Sequence, residues 1–200
     1  NRQQRYFVGC LVAGPRSLSI FDQPIERRAS DSIKWGKYAG RDILPLWVAD
    51  MDFAAPPAVI DALQQRIAHG VFGYGHPWPS LMESVLAHLE GEYDWAIEPE
   101  WIVWLPGLVS ALNIACRAVG DPGDAVFTAT PIYPPFLSAP RFSGRKLNRV
   151  ELACSDGRWQ WDKIALQNAS TATTRLFLLC HPHNPVGRCW SREELVDLAA

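Results

Sequence analysis

Short strand-like segments, most of them apolar, alternate along this chain with longer segments of helical periodicity. The strand-like segments lie at 101–105, 125–130, 145–152 and 175–180, and each has the length of a strand. Strands that alternate with helices of roughly ten to fifteen residues are typical of a parallel sheet covered by helices. The sequence therefore predicts an α/β fold, with the segment at 101–105 as a buried strand.

Turn and cap residues place the helices between these strands. The segment 58–69 follows two prolines and ends at Gly70, which predicts a helix with a glycine at its C-terminal end. Ser80 precedes Glu83 by three residues, a spacing typical of a capping box at the start of a second helix. A third helix follows the first predicted strand and is closed by Gly120.

The composition indicates an ordinary globular protein and excludes several classes. The 200 residues are 48% hydrophobic and 20% charged, and the net charge of −2 gives no electrostatic reason to bind nucleic acid or an anionic membrane. No stretch has the roughly eighteen uninterrupted apolar residues of a membrane helix. The five cysteines are irregularly spaced, which fits reduced thiols in the cytoplasm better than a disulfide framework.

Both ends of the chain differ from those of a complete domain. In residues 1–18, two arginines precede a short apolar stretch, which fits a signal peptide poorly, and we interpret these residues as upstream sequence or linker. Ser191 and Glu194 predict a capped helix that is still continuing at Ala200. We expect the sequence to be the N-terminal part of a longer protein.

Ligands of an open parallel sheet bind beyond the carboxyl ends of its strands, so the loops that follow strands are the candidate sites. The first of these loops, at 106–109, opens a helix whose unpaired N–H groups and positive dipole end suit a phosphate. Taken alone, the pattern fits a plain tight turn at Gly107 better. The chain has neither G-x-G-x-x-G nor G-x-x-x-x-G-K-[ST], which argues against a dinucleotide or a P-loop nucleotide.

Two further loops carry an aromatic and an amide side chain. In TPIYPPF, at 130–136, prolines surround Tyr133, whose ring would suit stacking on a flat ligand. A packed proline–aromatic turn is the better interpretation of that segment by itself. In HPHNPVG, at 181–187, the amide of Asn184 can donate hydrogen bonds to two acceptors at once.

Two clusters raise the question of a metal site. The first cluster consists of Cys180, His181, His183 and Cys189. Prolines fix its histidines and no second ligand pair has the usual zinc spacing, so we predict no metal. The second is Asp50 and Asp52 in WVADMDF, which could serve a metal, form a catalytic pair or organise a turn. We interpret them as organising the turn between an N-terminal arm and the helix at 58–69.

Three motifs in order, PGLVSAL, TPIYPPF and HPHNPVGRCWSREEL, resemble the fold-type-I pyridoxal-phosphate (PLP) enzymes of the aminotransferase class I/II family. The segments FDQPIERRASDSIKWGKYAGRDILPLWVADMDF and FGYGHPW are similar to its cystathionine β-lyase branch, the MalY/PatB C–S lyases. The resemblance implies a three-layer α/β/α fold with a mainly parallel sheet, truncated before the C-terminal domain. It also implies three regions: upstream sequence at 1–18, an arm of the small domain at 19–55, and the N-terminal portion of the large PLP-binding domain at 56–200.

The resemblance implies a role for each cofactor residue. The backbone N–H groups of Gly107, Leu108 and Val109 would hold the cofactor phosphate. Tyr133 would stack on the pyridine ring, and Asn184 would donate a hydrogen bond to its O3′ oxygen.

It also implies residues for the substrate and for a second subunit. Trp47, Val48 and Ala49 would line the mouth of the substrate site, and Asn184 would help hold the substrate carboxylate. Tyr74 would reach the cofactor phosphate of the neighbouring subunit, which makes a homodimer the expected functional unit.

The implied reaction is β-elimination from a sulfur amino acid such as cystathionine. PLP withdraws electrons from Cα, a lysine removes the Cα proton, and the sulfur group leaves from Cβ to give a thiol, ammonia and pyruvate. An aminotransferase and a non-catalytic PLP-binding protein remain alternatives, because both would share these motifs.

No catalytic residue is expected within the 200 residues. The lysines are Lys34, Lys37, Lys146 and Lys163, and all of them precede the Asn-Pro-Val-Gly loop. The resemblance places the cofactor-binding lysine downstream of that loop, beyond residue 200. We therefore expect residues 1–200 alone to be inactive, and prone to aggregation through unpaired strand edges.

Overall fold

The computed structural model describes residues 19–23 and 25–199. It contains two compact units, with the boundary between Pro77 and Trp78. The interpretation of residues 1–18 as upstream sequence or linker lies outside the described residues. The domain boundary after residue 55 stays a prediction.

The first unit is mostly irregular and carries short helices. A 3-10 turn at Ile20–Asp22 is followed by α1 (Ile33–Gly36) and α2 (Pro57–His69). Helix α2 ends at Gly70, whose φ of +75° lies in the left-handed region that glycine adopts without steric cost. The helix predicted at 58–69 is confirmed.

The second unit alternates helices with strands around a small parallel sheet. Its regular elements are α3 (Pro79–Tyr93), α4 (Leu108–Ala118), β1 (Ala125–Thr130), α5 (Pro135–Phe142), β2 (Lys146–Glu151), β3 (Ala153–Ser155), β4 (Arg158–Gln160), α6 (Lys163–Ala169), β5 (Thr174–Phe177) and α7 (Arg192–Ala199). Strand β1 lies between β2 and β5 and runs parallel to both, while β3 and β4 form a separate antiparallel hairpin. The predicted parallel α/β sheet is confirmed.

The central strand β1 is buried on both faces. Val126 packs with Phe136 of α5 in one apolar cluster, and Ala129 packs with Trp190 and Leu195 of α7 in another. Successive residues of a strand point to opposite faces, so these two clusters lie on the two sides of the sheet. Helices therefore cover both faces, as a three-layer arrangement requires.

Two predictions from local patterns are wrong. Residues 101–105 form no buried strand, since a 3-10 turn at Pro99–Trp101 overlaps them and Val103 is 75% exposed. A strand needs a hydrogen-bonded neighbour, and within the described part of the chain no strand lies beside this segment. Ser80 does not cap α3, because the helix begins at Pro79, whose fixed φ and missing N–H suit the first helical position.

The capping box predicted before the last helix is confirmed. The backbone N–H of Ser191 donates to Glu194 Oε2 at 2.7 Å, and the N–H of Glu194 donates to Ser191 Oγ at 3.2 Å. Across residues 19–23 and 25–199, we find no helix with both the length and the apolar character needed to cross a membrane.

Candidate functional site

A cavity of about 650 Å³ in the second unit brings together residues from all three predicted loops. Leu108 at the start of α4, Tyr133 after β1 and Asn184 after β5 all line it. The cavity therefore lies where the carboxyl ends of two neighbouring parallel strands meet a helix N-terminus, the position at which open α/β sheets bind ligands.

The first turn of α4 presents backbone N–H groups without a side-chain cap. Gly107 precedes the helix, and the first helical hydrogen bond runs from the N–H of Ala111 to the Gly107 carbonyl at 3.1 Å. The N–H groups of Leu108, Val109 and Ser110 thus precede any intrahelical acceptor. A Cβ built on Gly107 would meet no heavy atom within 4 Å, so there is open space beside this turn for an anion.

Tyr133 and Asn184 are held in register with each other by their backbones. The N–H of Tyr133 donates to the carbonyl of Asn184 at 2.9 Å. The Tyr133 side chain is 41% exposed, and the Asn184 side chain is exposed as well. An aromatic face and an amide are therefore available to a ligand at neighbouring points of the cavity wall.

His183 and Cys180 support this loop, and the sequence did not point to either role. The His183 ring is buried, and its Nε2 lies 3.0 Å from the carbonyl oxygen of Pro131. Burial lowers the pKa of His183 below its ordinary value, and the hydrogen bond to Pro131 acts in the opposite direction. The Cys180 Sγ accepts a hydrogen bond from the N–H of Asn184 at 3.3 Å.

The cysteine and histidine side chains of this loop raise the question of a metal centre. Among the described residues, no group of three or more histidine, cysteine or carboxylate side chains is arranged to hold a metal ion. His183 instead faces a carbonyl oxygen, which is an acceptor and requires a proton on Nε2.

In the first unit, Asp50 and Asp52 are the acceptors of an ion-pair network. Arg27 donates from Nη1 and Nη2 to the two carboxylate oxygens of Asp50, both at 2.9 Å, and from Nη1 to Asp52 at 2.9 Å. Lys34 Nζ donates to Asp52 at 2.6 Å and Trp35 Nε1 donates to its other oxygen at 2.9 Å. The two acids therefore tie the segment at 47–53 to the earlier part of the arm.

The network also shifts the protonation of both acids. Hydrogen bonds from Lys34 and then Trp35 lower the pKa of Asp52 to about 2. The hydrogen bond from Arg27 lowers the pKa of Asp50 as well. Both carboxylates stay ionised at neutral pH, which suits ion pairing and does not suit a proton donor.

The remaining predicted site residues lie in the first unit. Trp47 donates from Nε1 to the Lys34 carbonyl at 3.2 Å, and the Lys37 ammonium lies 4.2 Å from the centroid of its ring. Val48 is partly exposed, and Tyr74 is fully exposed to solvent. The roles predicted for Trp47, Val48 and Ala49 at the substrate, and for Tyr74 at a neighbouring subunit, stay predictions.

Residues 41–200 match the model of the family described as aminotransferase class I and II. Cystathionine beta-lyase PatB of Bacillus subtilis (strain 168) is 40% identical over 183 residues, which make up 89% of this chain and 47% of that protein. The chain thus spans about half the length of the curated relatives it matches.

Solved structures match a similar share of the chain. The crystal structure of OvoB has a TM-score of 0.83 at 47% identity, covering 90% of this chain and 47% of that one. Cystalysin from Treponema denticola, whose crystal structure contains pyridoxal 5′-phosphate, has a TM-score of 0.82 at 34% identity, covering 89% and 47%.

Proposed function

Because this chain belongs to the aminotransferase class I and II family, we propose that it is part of a PLP-dependent carbon–sulfur β-lyase. The cavity formed by Leu108, Tyr133 and Asn184 is the observation on which the proposal depends. It combines an uncapped helix N-terminus, an exposed aromatic ring and an exposed amide, which match a phosphate, a flat pyridine ring and a phenolic oxygen. The relatives named cystathionine beta-lyase support the lyase chemistry.

When bound, PLP supplies an electron sink for the bond that breaks at the substrate Cα. The N–H groups of Gly107, Leu108 and Val109 would hold the phosphate at the positive end of the α4 dipole. The Tyr133 ring would stack on the pyridine. The Asn184 amide would donate to the ring oxygen and to the substrate carboxylate, and so would orient Cα.

We propose that Trp47, Val48 and Ala49 of the arm contact the substrate. Within the arm, the ion pairs of Asp50 and Asp52 keep that segment folded. The substrate is an amino acid with a sulfur leaving group on Cβ, such as cystathionine or an S-substituted cysteine, and the products are a thiol, ammonia and pyruvate.

A homodimer in the cytoplasm is the proposed setting. Several apolar side chains of α2 and the segment after it are exposed, among them Ile67, Val71 and Phe72, and such a surface suits burial against a second copy. Tyr74, beside them in sequence, would then reach the partner's cofactor phosphate. The cysteines within the described residues are free thiols, which agrees with a reducing compartment.

The test is a product assay on the whole protein. Purified protein loaded with PLP is incubated with L-cystathionine, and pyruvate, ammonia and free thiol are measured separately. Equal amounts of the three support β-elimination. Amino transfer to an added 2-oxo acid without thiol release would favour the aminotransferase, and no reaction with either substrate would favour a non-catalytic protein. Residues 1–200 alone are expected to form no pyruvate.

A further inference from the structure

His183 lies next to one predicted cofactor residue and is hydrogen-bonded close to another. It directly precedes Asn184 in the loop after β5, and its Nε2 lies 3.0 Å from the carbonyl of Pro131, two residues before Tyr133. The side chain is 1% exposed and is not among the residues that line the cavity. It therefore supports the site without touching its ligand.

Two hydrogen bonds join the loop after β1 to the loop after β5. One runs from the His183 ring to the Pro131 carbonyl, and the other runs from the N–H of Tyr133 to the Asn184 carbonyl at 2.9 Å. Together they close a ring that contains both Tyr133 and Asn184. Loss of either bond would let the aromatic face and the amide move relative to each other.

The loop around His183 is itself tightly folded. The backbone N–H of His183 donates to the carbonyl of Arg188 at 2.7 Å, and the His183 carbonyl accepts from the N–H of Gly187 at 2.8 Å. The Trp190 ring packs edge-on against the imidazole at 5.7 Å between centroids, and Trp161 lies 6.3 Å away. The imidazole is thus held from several sides in one orientation, with Nε2 directed at Pro131.

We propose that His183 is a positioning residue, which sets the spacing of Tyr133 and Asn184 and so the fit of the PLP ring between them. The inference rests on the proposed function. It assigns no proton transfer to His183, because a buried ring that is absent from the cavity wall cannot reach a substrate atom. The positioning role depends on the hydrogen bond that the Nε2–H group donates to the Pro131 carbonyl.

The test compares three substitutions in the whole protein. Gln places an amide N–H close to the position of Nε2, Asn places its amide nearer to Nδ1, and Leu fills space without a donor. The apo-protein of each variant is titrated with PLP, and binding is followed by tryptophan quenching and by the visible circular dichroism of the bound cofactor. The thermal midpoint of each apo-protein is measured alongside.

The PLP affinity of His183→Gln is expected to lie within about twofold of that of the unsubstituted protein. His183→Leu and His183→Asn are expected to lose about tenfold or more in PLP affinity, which is the effect of losing one hydrogen bond. The visible circular dichroism should weaken in the same two variants, because it reports the orientation of the ring. If His183→Leu does not fold, the comparison of Gln with Asn decides. In an Asn184→Ala background the effect of His183→Asn should shrink, since one of the two groups it positions is gone.

Equal PLP affinity in the Gln and Asn variants would overturn the positioning role. So would losses of affinity that simply follow the losses in apo-protein thermal midpoint, because that is the pattern of a purely structural residue. Failure of the unsubstituted protein to bind PLP would instead overturn the proposed function, and this inference with it.

Discussion

The side chain of Thr128 ties the central strand to the segment that leads into the Asn184 loop. Thr128 is completely buried in β1, and its Oγ1 donates to the Leu178 carbonyl at 2.8 Å. Leu178 immediately follows β5 and also receives backbone support, since its N–H donates to the Phe127 carbonyl at 3.0 Å. The substitution Thr128→Val keeps the branched shape and replaces the hydroxyl group with a methyl group.

The cost of Thr128→Val follows from the burial of this hydrogen bond. A buried acceptor that loses its donor costs about 1–3 kcal/mol, and the added methyl group offsets part of this because it is apolar. We expect the free energy of unfolding to fall by about 1–2 kcal/mol. The amides of β1 should then exchange with solvent roughly ten times faster, if exchange occurs through the opening of this region.

The assay is urea denaturation of the whole protein together with hydrogen exchange of peptides that cover β1. Thr173→Val is the matched control, because Thr173 is exposed and, among the residues that the structure describes, its hydroxyl bonds only to another exposed threonine, Thr171. That control should change the unfolding free energy by less than about 0.5 kcal/mol. Equal effects of the two substitutions would refute the assignment of stability to the buried hydrogen bond.

Three further predictions concern the arm, a helix end and the cofactor. Because the pKa of Asp52 is about 2, below its ordinary 3.8, its ion pairs stabilise the arm above about pH 4 and are lost as pH falls through 2. Hydrogen exchange of 47–53 measures this, and Asp52→Asn should reduce the pH dependence to the part that Asp50 contributes, because the pKa of Asp50 is lowered as well. Arg145→Met removes the hydrogen bonds from Nε to the Cys116 carbonyl at 2.8 Å and from Nη2 to the Gly120 carbonyl at 2.7 Å. We expect urea denaturation to show a fall of about 2–4 kcal/mol in the free energy of unfolding, and an unchanged midpoint would contradict this. Asn184→Ala should weaken PLP binding by about tenfold with little change in apo-protein stability, because the side chain is exposed; a PLP titration and a thermal melt decide.

Local patterns predicted the regular elements where a segment's own residues determine its structure. The strand-like segments that form β1 and β2, the glycine end of α2 and the Ser191 capping box all depend on residues within a few positions of one another. The apolar run at 101–105 was predicted wrongly for the opposite reason. An isolated segment carries no record of whether a partner strand lies beside it, and within the described residues none does.

The sequence by itself determined that Gly107 precedes a helix and that Tyr133 and Asn184 each follow a strand. Parallel strands direct their carboxyl ends to one edge of the sheet, so this order predicts a shared site. The tertiary structure decided which hydrogen bonds hold these loops to each other and to the sheet. His183 and Pro131 are 52 positions apart, and Thr128 and Leu178 are 50 apart. Such bonds form only after the strands have paired, because chain spacing alone does not bring distant donors and acceptors within hydrogen-bonding distance.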